Sequence, residues 1–199
     1  MQLKSPASDS VFDKKFWAIC LVTGQFMVIL SSFFWKDNGR HSVNGSVMVF
    51  FSTLFLAMGM IGLFAILKSK MPVYSRLGFL YAMYGIFGGV GFAFEGIYSG
   101  TLNISDKIGL EAFKAFPTQM NLLLYWSGPA FPLSLLILGI VYIRTKVVKW
   151  WVGVLLSLGG ITFPISRILR NEWLAHLNDM ILFIPLCIIA YQFWNATEQ

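Results

Sequence analysis

Pro164-Ile-Ser-Arg-Ile-Leu-Arg-Asn-Glu-Trp-Leu-Ala-His-Leu-Asn-Asp179, running on through Met180-Ile-Leu-Phe-Ile-Pro-Leu-Cys-Ile-Ile-Ala-Tyr-Gln-Phe-Trp194, is the stretch on which the fold turns. Its second half is the apolar body of a helix that, with its polar first turns, reaches the roughly 20 residues needed to cross a bilayer. Its first half sets Arg167, Arg170, Glu172, His176 and Asp179 at the mouth of that helix. Ionisable side chains at such depth are costly and need either partners or a task. Glu172, His176 and Asp179 follow i, i+4, i+7 spacing, which puts them within roughly 60° of one helical face. At 1.5 Å per residue, Asp179 falls about 8–9 Å below the start of the span.

The rest of the chain has the same character. It is 57% hydrophobic and only 12% charged, about half the charged share of a soluble domain, with a mean hydropathy of +0.70. The expected fold class is therefore an all-α integral membrane protein, one polytopic domain over 1–199. The longest polar stretch is about twenty residues, too short to bury a core of its own. Spans are expected near 16–35, 47–67, 77–98, 121–143, 148–168 and 173–194, packed as one six-helix bundle. Trp17 and Trp35 bracket the first, and Trp173 and Trp194 the last, as interfacial aromatics do. Lys14 and Lys15 precede an apolar run too long for a signal sequence, so that run reads as an uncleaved first span.

The net charge of +6 sits in short clusters beside apolar runs, which points to membrane topology and away from nucleic acid. With the N-terminus inside, the inner segments hold nine cationic residues: Lys4, Lys14, Lys15, Lys68, Lys70, Arg76, Arg144, Lys146 and Lys149. The outer loops hold six: Lys36, Arg40, Lys107, Lys114, Arg167 and Arg170. That bias predicts two cytoplasmic termini in a plasma membrane or bacterial inner membrane. Asn44 and Asn103 begin glycosylation sequons in outer loops, informative only in a eukaryotic host. Between the third and fourth spans, residues 105–116 put Ile108, Ala112, Phe113 and Phe116 opposite Lys107, Glu111 and Lys114. A short amphipathic helix on the outer membrane surface is expected there, with Ser105 as its N-cap.

A weak internal repeat links Ile-Leu-Lys-Ser-Lys (66–70), followed by a span with Gly88-Gly89, to Tyr-Ile-Arg-Thr-Lys (142–146), followed by a span with Gly159-Gly160. It would make spans two–three and four–five parallel copies. In span three, Tyr81, Tyr84, Gly88, Gly91 and Glu95 share one face, suited to close packing or to a ligand. Span four carries Asn121, Tyr125, Gly128 and Pro132 along one face, with Pro129 beside it, and the prolines predict a bend.

This topology brings Glu95, Asn121, Tyr125, Arg167, Arg170, Glu172, His176 and Asp179 to the outer half of the bundle. Three readings fit. Glu95, Glu172 and Asp179 can form a neutral structural network with Arg167, Arg170 and His176. The arginines can hold a phosphate or carboxylate. Glu95, Glu172, His176 and Asp179 can supply metal ligands to an enzyme, although one histidine in the cluster argues against a metal site. Cys20 and Cys187 lie in apolar runs and form no ligand pattern. No phosphate-binding loop, dinucleotide fingerprint or G-x-S-x-G motif names a cofactor or nucleophile.

The functional expectation is a small multi-pass protein binding or transporting an amphipathic or anionic small molecule in an outer-leaflet polar pocket. The alternatives are a membrane-embedded hydrolase or transferase acting on lipid, and an accessory subunit of a membrane complex. The expected partners are the bilayer, that small molecule, and a second copy or larger complex, with no nucleic acid.

Overall fold

The structure, a computed structural model, describes residues 10–36 and 40–196. Lys4 lies outside them. Its elements are α1 (Val11–Ser32), α2 (Val43–Ala65), α3 (Pro72–Thr101), α4 (Asp106–Lys114), α5 (Pro117–Met120), a π-helical turn (Asn121–Tyr125), α6 (Ser127–Thr145), α7 (Trp150–Leu169) and α8 (Glu172–Asn195). Six helical segments are long and apolar enough to cross a membrane, the fourth running continuously from Pro117 to Thr145. The architecture is that of a multi-pass helical membrane protein.

The helix ends follow caps rather than hydropathy. Ser10 and Asp13 form a reciprocal capping box, with Asp13 N–H donating to Ser10 Oγ at 3.0 Å and Ser10 N–H to Asp13 Oδ2 at 3.1 Å. Ser42 caps α2 through Gly45 N–H at 3.2 Å, Pro72 opens α3, and Asn171 caps α8 through Leu174 N–H at 3.1 Å. Hydropathy marks only the apolar middle of each helix. The first four spans accordingly begin earlier than the expected 16, 47, 77 and 121, at Val11, Val43, Pro72 and Pro117.

The long helices form a closed ring in chain order. α1 packs on α2 and α8, α3 on α2 and α6, and α7 on α6 and α8. Leu21, Leu63, Leu138, Leu156, Leu182 and Ile189 fill the interior. Tyr142 Oη donates to the Leu63 carbonyl at 2.6 Å, which ties α6 to α2 across the ring.

Small residues set the spacing. The face of α3 expected to be smooth is a packing surface. A methyl group on Gly85 would run into the Phe131 backbone, one on Gly88 into Ser127, and one on Gly91 would come to 2.9 Å from Leu124 Cδ2. The two halves of the sequence repeat also act alike. Gly88 meets α6 and Gly89 meets α2, while Gly159 meets α8 and Gly160 meets α6. In each pair the first glycine faces the following helix and the second faces the preceding one.

Span four departs from α-helical geometry upstream of its prolines, in the π turn at Asn121–Tyr125. Pro129 and Pro132 have no N–H to give the carbonyls one turn before them, so the ladder is weakest there. Ser127 Oγ reaches back to the Leu123 carbonyl at 2.6 Å and Leu124 at 3.2 Å, and Tyr84 Oη from α3 donates to the Leu122 carbonyl.

Candidate functional site

Asp179 is the centre of the polar cluster. Its side chain is 0% exposed, so its charge must be met from within the protein. Arg167 Nη2 donates to Oδ1 at 2.9 Å and to Oδ2 at 3.3 Å. Ser32 Oγ donates to Oδ2 at 2.7 Å and Asn178 Nδ2 to Oδ1 at 3.3 Å. Gln25 Nε2 donates to the Asp179 backbone carbonyl at 3.1 Å, and Thr162 Oγ1 to Asn178 Oδ1 at 2.7 Å. α1, α7 and α8 are thus joined through one carboxylate.

The α1–α2 connection covers this pair. Ser42 N–H donates to the Phe34 carbonyl at 2.8 Å and Lys36 N–H to the Arg40 carbonyl at 2.7 Å, while Trp35 and His41 pair as an isolated antiparallel bridge. The chain doubles back and lays Trp35 on Arg167, whose guanidinium carbon lies 5.1 Å from the indole centroid and 5.0 Å from that of Phe163. Planar guanidinium suits this sandwich as an ammonium would not.

His41 Nδ1 lies 3.3 Å from the Ser31 carbonyl, which can only accept, so Nδ1 carries the proton. Burial, reinforced by the Arg167 charge and opposed by the Ser31 carbonyl, pushes the imidazole from its usual 6.5 down to about 4. The folded protein therefore binds this proton more weakly than the unfolded chain does. The stability His41 contributes is complete above pH 6.5 and is lost as pH falls toward about 4. At roughly 1.4 kcal/mol per unit, that loss is at most about 3.5 kcal/mol. Unfolding free energy followed from pH 7 to pH 4 should fall less steeply in His41→Gln than in the wild type; equal slopes would contradict the burial of a neutral His41.

Charge falls off along α8 as the helix enters the bundle. Glu172 is 57% exposed at the side chain and His176 20%, with Nε2 of His176 3.6 Å from Glu172 Oε1. His176 also packs against Phe33, the ring centroids 4.4 Å apart and the planes tilted by 40°. Glu95 on α3 pairs with Arg40 of the covering loop at 3.3 Å. Arg170 occupies the left-handed C-cap of α7 at φ 50° and is exposed. Asn121 and Tyr125 belong to the π turn on α3, and neither shares a hydrogen bond or ion pair with Arg167 or Asp179. The structure thus joins Arg167 to Asp179 and Glu172 to His176, and leaves Asn121 and Tyr125 apart from them.

The metal reading meets a geometric obstacle, since Asp179, Glu95 and Glu172 each lie against a different basic group. Among the described residues, no three His, Cys, Asp or Glu side chains gather as a ligand set.

Sequence reasoning missed Gln25, Ser32, Trp35, Arg40, His41, Thr162 and Asn178. Gln25 and Ser32 carried a readable signal, being polar residues at i, i+7 on one face of an apolar helix. The loop residues carried none, because a turn decides where they point.

Two buried donors complete the site. Arg167 Nη1 and Trp35 Nε1 are both inaccessible to solvent and have no acceptor among the described residues. Their side chains lie against each other, the guanidinium carbon 5.1 Å from the indole centroid. No family model, no curated protein and no solved structure matches the chain.

Proposed function

We propose that this protein binds or transports an amphipathic or anionic small molecule whose polar end sits at Arg167 and Trp35. The observation that carries this reading is the pair of buried donors, Arg167 Nη1 and Trp35 Nε1, without acceptors. A buried N–H left unpaired costs about 1–3 kcal/mol, so a protein that keeps two beside each other gains by receiving an oxygen there. An apolar groove between α7 and α8 is lined by Ile165, Leu174, Leu177 and Ile181 together with Thr162, Ser166 and Asn178. Asn178 in turn donates to Asp179, which supports an amphipathic ligand with its chain in the groove.

The test uses protein purified in maltoside micelles and native mass spectrometry for retained small molecules. Trp35→Phe keeps the stacked ring and removes the N–H, and Arg167→Lys keeps the charge and removes the fork. Both variants should lose the retained species while Trp35→Phe melts within a few degrees of wild type. Retention unchanged in both would defeat the reading.

The same proposal sets the site on the outer side, with both termini cytoplasmic in a plasma membrane or bacterial inner membrane. α4 then lies on the outer surface, its exposed Ile108 toward lipid and its Lys114–Glu111 pair, at 2.8 Å, toward water. Single cysteines at Lys36 and Lys107, in a background lacking Cys20 and Cys187, should react with impermeant maleimide added outside, and one at Ser69 should not. The reverse labelling pattern would move the site to the cytoplasmic face.

A further inference from the structure

We infer that the group received between Trp35 and Arg167 is a neutral carbonyl oxygen, of an amide or ester, rather than a carboxylate or phosphate. The inference rests on the binding reading above and narrows its ligand class.

The two arginines nearest the locality each already have a carboxylate partner. Arg167 is met by Asp179 at 2.9 Å and Arg40 by Glu95 at 3.3 Å. His41 of the covering loop is neutral at pH 7 because burial and Arg167 disfavour its cation, and Lys36 of the same loop is exposed. On α8, Glu172 and His176 lie toward the exposed end, and on α7 Arg170 is exposed at the C-cap. An arriving anion would compete with Asp179 for a single guanidinium and leave one negative charge buried without a counter-charge. Desolvating such a charge is far more costly than desolvating an amide.

A neutral carbonyl meets none of that opposition. It has two lone pairs, and the site has two donors, one of them an indole N–H that carries no charge and can only donate. The faces of Trp35 and Phe163 flank the guanidinium and give the carbon next to a carbonyl an apolar wall. A carbonyl oxygen can accept from such donors while the Arg167–Asp179 pair stays intact.

The probes are octanamide, octanoate and N-methylacetamide, added to the full-length protein labelled with 15N-tryptophan in maltoside micelles, a detergent with neither carbonyl nor charge. The Trp35 indole resonance is assigned by its loss in Trp35→Phe. Octanamide should shift that resonance downfield and saturably, with octanoate at neutral pH at least about tenfold weaker, the equivalent of about 1.4 kcal/mol. Weak or absent binding of N-methylacetamide assigns the carbonyl to an acyl-chain compound, and binding equal to octanamide assigns it to a soluble one; both support the carbonyl. Octanoate binding as tightly as octanamide would overturn this inference and leave the binding site standing. No response of Trp35 to any probe would overturn both.

Discussion

Replacing Asp179 by Asn should cost about 3–5 kcal/mol of stability, the cost of removing one member of a buried ion pair. The carboxylate is 0% exposed and receives Arg167, Ser32 and Asn178, so its loss leaves a guanidinium in an apolar sandwich without a counter-charge. Removing both partners, as Arg167→Met with Asp179→Leu, takes the stranded charge away and should recover much of the loss. Equilibrium unfolding in mixed dodecyl sulfate and maltoside micelles measures the cycle. Single effects that simply add, within about 0.5 kcal/mol, would mean that the pair is not coupled. Recovery of stability in the double variant, together with loss of the retained small molecule, would separate the structural role of the pair from its role in binding.

Alanine at Gly85 or Gly160 should cost about 3 kcal/mol each, the upper end of the range for overpacking a core. At both positions the added methyl group meets backbone, the Phe131 main chain for Gly85 and the Leu136 nitrogen and Pro132 carbonyl for Gly160, each at 2.6 Å in the second case. Backbone cannot rotate away, so the helices must separate, α3 from α6 or α7 from α6. Gly109 in α4 is the control, because nothing lies within 4 Å of its added methyl group. There Ala should stabilise the helix by up to about 1 kcal/mol. Thermal melts of the three variants in one detergent test the contrast, and similar melting of Gly85→Ala and Gly109→Ala would refute the close approach.

Span number and helical class were legible because crossing a bilayer demands a long apolar run, and that demand is written in consecutive residues. That Asp179 needs a cationic partner from this stretch was legible for a related reason, since charge inside such a run has few places to go, but the choice of Arg167 over Arg170 was not. Helix ends were less so, since Ser10, Ser42 and Asn171 act through hydrogen bonds that hydropathy does not register. The expected gathering of Asn121 and Tyr125 with the charges came from assigning residues to the same end of the bundle, which says nothing about the side of the ring they occupy. The ring order decides that, and it sets the π turn against α3, whereas α1, α7 and α8 hold Asp179. Trp35, Arg40 and His41 were illegible as site residues because one doubling-back of the chain, between Phe34 and Ser42, decides where all three are delivered.

Because α8 closes the ring on α1, Gln25 and Ser32 wait for a partner 154 and 147 residues further along the chain. A ribosome makes α1 before α8. Until α8 arrives, the growing chain holds an amide and a hydroxyl on one side of the gap, and on the other a cation on α7, all turned toward a neighbour not yet made. α8 meets the hydroxyl and the cation through the Asp179 carboxylate and the amide through the Asp179 backbone carbonyl. A chain cut short before Glu172 would keep five of its six spans and an unneutralised Arg167 within the bilayer's reach.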